Sequence, residues 1–321
     1  MLKGAIEHAT ENTAEIYDRA GAAYSAYADG DPSQIFDFSG PHAQADRCVW
    51  SCLAAKLAEL RISGATSVRI LDAGCGPGAW VRRLVTRAKE MGFSQIIARG
   101  FDISPAQIQQ ARVLARNLAA LPGVELTFSV ADLRDPLPEA DGSVDIALCL
   151  YSALSHLPVS ALPQFSTDIA RATAGHFITT VRSIGSMPTA LVDSIENVRL
   201  IRHDDALDQC EIEFSDGQQS TFPFHLFSSS ELREFFSGAF DIELMQGLDL
   251  FHSRFAIDPR WNPENLPFSE RFVEQLSRLE DVHSLDPQYM DHANHILLLG
   301  RRKGLQGAAA EARRKRWTLF S

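Results

Sequence analysis

Val68-Arg69-Ile70-Leu71-Asp72-Ala73-Gly74-Cys75-Gly76-Pro77-Gly78-Ala79-Trp80 is the stretch on which the fold turns. Val68, Ile70 and Leu71 read as a strand of the fully buried, parallel kind. Gly74 to Gly78 then form a turn whose backbone a ligand can approach closely, because glycine adds no Cβ. From Trp80 to Lys89 the apolar spacing becomes helical. The turn therefore stands at a strand's carboxyl end and a helix's amino end, where open α/β sheets bind nucleotide-like ligands. Gly74, Gly76 and Ala79 also satisfy the dinucleotide fingerprint G-x-G-x-x-G/A, so on this stretch alone NAD or FAD, or a glycine turn without a ligand, stays open. Asp72 lies where a phosphate-binding loop would not want it.

Three further strand ends extend the pattern. Ile96, Ile97 and Ala98 lead through Gly100 and Phe101 to Asp102 and Ile103, and Ser104 and Pro105 then supply an N-cap and an N1 proline for a helix bearing Ile108, Ala111, Ala115 and Leu118 on one face. A strand from Val124 to Val130 ends in Asp132-Leu133, and Asp141-Gly142-Ser143 turns into an apolar strand from Val144 to Leu150. A carboxylate at the Asp102 tip can accept hydrogen bonds from both hydroxyls of a ribose, although NAD enzymes also use an acid there. A lone Asp at a strand end is ordinarily a helix cap or turn former, and Asp72 and Asp145 keep that alternative.

In this order and spacing, the elements from Val68 to His156 resemble motifs I to IV of the class I S-adenosylmethionine (SAM) dependent methyltransferases. The resemblance implies a doubly wound α/β sheet of seven mostly parallel strands with the last strand antiparallel, SAM as cofactor and S-adenosylhomocysteine (SAH) as product. It places Asp72, Gly74, Cys75, Gly76 and Gly78 in the cofactor turn. Asp102 and Ile103 fall at the ribose, Asp132 and Leu133 at the adenine, and Leu150 at the end of the fourth strand. Tyr151 and His156, which follow that strand, are expected beside the methyl acceptor, with His156 a candidate base and packing its plainer alternative.

Flanking segments suggest a lid and caps. Residues 1–64 carry no sheet signal and are expected to form an amino-terminal helical lid, then a lead-in helix from about His42 to Leu60 with Cys48, Leu53, Leu57 and Leu60 on its apolar face. The run Ile16-Tyr17-Asp18-Arg19-Ala20 followed by Tyr24 resembles the lid of small-molecule methyltransferases. It offers Tyr24 to the reacting methyl group and Tyr17 and Tyr27 to the substrate, while core packing explains tyrosines at this spacing almost as well. The core is expected over 65–303, with a fifth strand at His176 to Val181 and closing strands at Phe240 to Met245 and His295 to Gly300. Cap insertions fall at about 183–230 and 250–292. The first holds a hairpin from Asp208 to Phe227 and a capping box at Ser228 to Glu231; the second holds a helix near Phe268 to Leu279. Arg182, just past the fifth strand, is a candidate contact for an acidic substrate group or a surface ion pair.

Composition narrows the class. A chain of 321 residues, 45% apolar, can bury one large core, and no apolar stretch approaches the length of a membrane span. A formal charge of -11 argues against a surface that tracks phosphates. The basic residues cluster late, at Arg301, Arg302, Lys303 and in a tail over 304–321. Five cysteines without a C-x-x-C pair suit a reducing compartment, and Cys48 and Cys52 alone make no metal site. The start Met1 to Glu7 reads as too interrupted for a signal peptide, so a cytoplasmic location is expected. The expectation is an O- or N-methyltransferase of a small, partly apolar metabolite, with no metal, nucleic acid or membrane partner and a homodimer left open. An NAD-dependent oxidoreductase and a non-catalytic SAM-binding protein are its rivals.

Overall fold

The computed structural model describes residues 13–18, 34–38, 43–186, 198–204, 206–252 and 269–304. Helix α1 covers 13–18. The elements then follow as α2 (Ala43–Ile62), β1 (Ser67–Ala73), α3 (Ala79–Glu90), β2 (Gln95–Asp102), α4 (Pro105–Leu114), α5 (Arg116–Ala119), β3 (Val124–Val130) and β4 (Val144–Cys149). Beyond a 3-10 turn at Ala153–His156 come α6 (Leu162–Ala172), β5 (Thr173–Arg182), β6 (Val198–Asp204), β7 (Gln209–Phe214) and β8 (Gln219–Pro223). The chain closes with α7 (Ser229–Ser237), β9 (Phe240–Leu248), α8 (Glu270–His283), α9 (Pro287–Met290) and β10 (His295–Arg302).

Seven strands form one sheet in the order β3-β2-β1-β4-β5-β10-β9. The pairs from β3 through β5 are parallel, and β10 runs antiparallel between β5 and β9. The expected antiparallel last strand is therefore present, inserted next to the sheet edge. The order reverses between β1 and β4, which opens a crevice above their carboxyl ends. The central strands are apolar on both faces because both are covered, whereas edge strand β3 alternates apolar with polar residues. Val49 and Leu53 of α2, Leu84 of α3 and Ile108 of α4 share one core with Val68, Ile70 and Ile96. Phe165 of α6 and Phe236 of α7 share the other with Leu71, Phe101 and Phe177.

Four expectations need correction. The hairpin is the end of a three-stranded antiparallel sheet, β6-β7-β8, whose first strand, Val-Arg-Leu-Ile-Arg-His-Asp, is too charged to stand out as a strand. The helix after Ser104 breaks at Ala115, so Leu118 lies on α5. The buried stripe of α2 runs through Ala45, Val49, Leu53 and Leu57 at four-residue spacing and leaves Cys48 only half-buried. Arg301 and Arg302 belong to β10, where Arg301 pairs with Glu243 and Arg302 donates to the Ala239 carbonyl at 2.9 Å. The rest of the basic tail, from 305, lies outside the described residues. Among the described residues no helix is long and apolar enough to cross a membrane, and no cluster of His, Cys, Asp and Glu is placed to hold a metal ion.

Candidate active site

The glycine turn is anchored from β2. The N–H groups of Gly74 and Cys75 donate to the Phe101 carbonyl at 2.8 and 2.9 Å, and Gly76 N–H donates to Asp102 Oδ2 at 2.9 Å. Gly76 and Gly78 have φ of +50° and +78°, yet they differ in what surrounds them. A Cβ on Gly78 would stand 2.8 Å from the Phe128 ring, whereas one on Gly76 would meet nothing within 4 Å. Gly78 is thus held by packing, and Gly76 faces open space of the kind a cofactor backbone would fill. Asp72 is buried beneath the turn, Leu150 is buried at the tip of β4, and Cys75 is a buried thiol raised well above its ordinary range by burial and by the Asp72 and Asp102 carboxylates.

Asp102 also accepts the Ser104 N–H on Oδ1 at 2.9 Å. Burial pushes its carboxyl up, and backbone N–H groups of Ser104, Gly76 and Ile103 pull it back. The carboxylate's remaining lone-pair capacity is open to a ligand hydroxyl. The carboxylate is therefore both the keystone of the turn and a ready acceptor for a diol. Asp132 is more occupied. It receives Arg134 N–H at 2.8 Å and the Arg134 guanidinium at 2.7 to 3.1 Å, so an adenine amino group would share it with a cation. Leu133 lies beside Gly74, 4.0 Å from where a Cβ on that glycine would be. Asp145 accepts the Arg69 N–H at 2.9 Å and fixes the entry of β4 against β1.

After β4 the chain takes two consecutive left-handed residues, Tyr151 at φ +49° and Ser152 at φ +67°. Such backbone costs of order 1 to 3 kcal/mol per residue and needs specific support. Thr180 provides it, accepting Tyr151 N–H on Oγ1 at 2.6 Å and Ser152 N–H on its carbonyl at 3.2 Å. The kink sends the Tyr151 ring onto Trp80, stacked at 5.9 Å, with its hydroxyl donating to Asp46 of α2. It also starts the 3-10 turn that presents His156.

His156 stands where the core, helix α1 and the cap sheet meet. Its Nε2 lies 2.8 Å from the Tyr17 hydroxyl of α1, and its ring packs against Phe222 and Phe224 at 5.3 and 5.2 Å. Burial lowers its pKa from 6.5 to about 4, with the Pro223 backbone opposing the shift. The imidazole is neutral and shares a single proton with a phenol. Arg182, at the end of β5, is half-buried, and its carbonyl accepts the Phe227 N–H at 2.9 Å. Its charge offsets part of the burial that raises Cys210 of the cap sheet to about 11. Tyr24 and Tyr27 lie outside the described residues. Sequence reasoning missed Thr180, Asp46 and the pair Phe222 and Phe224. For the phenylalanines a signal existed, since two residues apart on a strand they share one face.

Residues 70–175 match the family model described as a methyltransferase domain, a stretch running from β1 into β5. No curated protein matches the chain. Among solved structures, the magnesium protoporphyrin IX methyltransferase of Synechocystis PCC 6803 with bound SAH is 15% identical, with 88% of this chain and 98% of that one covered and a TM-score of 0.47. The PH0226 protein from Pyrococcus horikoshii OT3 is 17% identical over 87% and 96%, at 0.46, and the [4+2]-cyclase SpnF is 18% identical over 80% and 81%, also at 0.46. The strand order, the glycine turn and the domain match fall in one place, and residues 70–175 form a methyltransferase domain.

Proposed function

We propose that this enzyme moves the methyl group of SAM to an oxygen or nitrogen of a small, partly apolar acceptor, bound between the β4 tip, helix α1 and the cap sheet. The observation that carries the reading is the surroundings of His156: a neutral imidazole joined to the Tyr17 phenol at 2.8 Å and walled by Phe222 and Phe224. Apolar walls around one or two polar groups are the usual make-up of a small-molecule pocket.

SAM supplies an activated methyl group, so the protein's share of the work is positioning and the exclusion of water. In this reading the turn from Gly74 to Gly78, with Cys75 and the buried Asp72 below it, Asp102 with Ile103, Asp132 with Leu133, and Leu150 hold the cofactor. Tyr151, Tyr17 and Arg182 line the acceptor side. His156 holds the Tyr17 phenol through Nε2, and that phenol orients an acceptor hydroxyl or amine. Charging His156 costs roughly 3 kcal/mol, from 6.5 down to about 4, which favours a neutral hydrogen-bond partner over a group that holds a proton through the reaction.

The test is a screen of phenols, carboxylates and amines read as SAH release, preceded by calorimetry with SAM, SAH and NAD. Binding of SAM and SAH with turnover of an apolar hydroxyl or amine is the expected result. SAM binding with no turnover on any acceptor class would favour a non-catalytic SAM protein, and NAD binding in place of SAM would make it an oxidoreductase.

A further inference from the structure

Two adjacent residues of α1 reach opposite walls of the cofactor crevice. Tyr17 meets His156 beyond β4. Asp18 meets the far side, beyond β2: its Oδ1 accepts the Ala106 N–H at 3.1 Å and the Ser104 hydroxyl. In the sheet β2 and β4 flank β1, so their tips stand roughly 10 Å apart, two strand spacings, with the glycine turn between them. Helix α1 thus crosses above that turn. Its apolar side goes to the cap, where Ile16 is buried with Cys210, Ile212, Phe214 and Phe222.

The contact of Asp18 is wired to the residue that reads the ribose. Ser104 Oγ donates to Asp18 and accepts Gln107 N–H at 3.1 Å as the N-cap of α4, and Ser104 N–H donates to Asp102 at 2.9 Å. The negative charge of Asp18 adds to the rise of the Asp102 carboxyl. Two carboxylates therefore face one helix N-terminus when the lid is down. Hydroxyl donors on Asp102 would offset their repulsion, and Asp18 itself is solvent-exposed, so its bonds can break without disturbing the core.

Resting on the methyltransferase reading above, we propose that Asp18 is the latch of the lid: its bonds to Ser104 and Ala106 hold α1 over the ribose side of the crevice, and their rupture sets the rate of cofactor exchange. Asp18 is then a positioning residue, acting on residence of the cofactor and not on methyl transfer itself.

Release of labelled SAH from the full chain, chased with excess unlabelled SAH, tests this. Asp18→Ala should release SAH about 5- to 20-fold faster, the equivalent of one or two hydrogen bonds. Asp18→Asn, which keeps an accepting oxygen, should recover most of the wild-type rate. Hydrogen exchange at the Ala106 amide should speed up in Asp18→Ala without any ligand. If wild type binds SAH and Asp18→Ala releases it at the wild-type rate, the latch is wrong and the cofactor assignment stands. If wild type binds neither SAM nor SAH, the methyltransferase reading and the latch fall together.

Discussion

Asp102 fixes the glycine turn and is proposed to take the ribose as well, and the two roles can be separated. Its oxygens hold the N–H groups of Gly76 and Ser104, and their remaining lone pairs suit a ribose diol. Asp102→Ala should weaken SAM binding by about 1.5 to 3 kcal/mol through the loss of charge-assisted bonds. Calorimetry beside melting curves checks it. A variant within twofold of wild type in Kd would remove the ribose assignment, and a loss of melting temperature equal to that in binding would leave only the turn-fixing role. Asp132→Ala should cost less, because Arg134 already occupies that carboxylate. His156 is argued to orient the acceptor through the Tyr17 phenol, so His156→Ala should lower kcat by about 10²-fold with the Kd for SAM unchanged. The wild-type pH profile of kcat between 6 and 8 should carry no ionisation that His156→Gln abolishes. The carboxylates Asp102 and Asp132 were legible from their place after strands. The partners that give them character, Arg134 and Asp18, were not, since a salt bridge two residues away and a bond across 86 residues leave no periodic trace.

At the scale of elements, the glycine turn shows how one motif mixes demands that substitution can tell apart. Gly76→Val places a branched side chain in open space and should abolish SAM binding while folding stability drops only by the strain of its positive φ, about 1 kcal/mol. Gly78→Val drives a Cβ into Phe128 and should instead destabilise the fold severely, about 2 kcal/mol or more. Parallel titrations and thermal melts of the two variants decide it; equal stability losses would refute the distinction. The fingerprint gave both glycines the same standing, because spacing reports that φ is positive and says nothing of what a Cβ would strike. Other elements split along similar lines. Strands β1, β4 and β10 were readable because burial on both faces makes them nearly continuous apolar runs, and β3 by its alternation Val-Glu-Leu-Thr-Phe-Ser-Val, whereas β6 carries Arg199, Arg202, His203 and Asp204 in seven residues. The capping box at Ser228 is half formed. Ser228 Oγ accepts Glu231 N–H at 3.1 Å, but the Glu231 carboxylate turns to His225 Nε2 at 3.0 Å, a tertiary partner that local pattern could not foresee.

Across the whole molecule, histidines that resist charging are built into the packing of α1, the cap sheet and the core, and this gives the fold a pH dependence with a definite sign. His156 is lowered to about 4, and His176 and His252 are lowered too, all chiefly by burial. An unfolded chain titrates these histidines near 6.5, so below that pH, and for His156 down to about 4, it binds more protons than the native state does. Stability is then full above that window and falls as pH falls through it. Asp102 and Glu280 act the other way. Their carboxyls are raised by burial, so the native state holds protons that the unfolded chain has released, and they lose stability as pH rises through the acid range. The histidines govern the interval from 7 to 5, where an unfolded carboxyl is already ionised and an unfolded imidazole is taking up its proton. For His156 alone the loss between pH 7 and 5 is about 2 kcal/mol. His156→Phe keeps an aromatic ring among Phe222 and Phe224 and removes the titrating group. Its stability, measured by urea denaturation at each pH, should depend less steeply on pH than that of wild type, whatever its absolute value. Parallel curves for the two proteins would mean that His156 charges freely in the folded state, and the neutral imidazole at the junction of lid, cap and β4 would have to be abandoned.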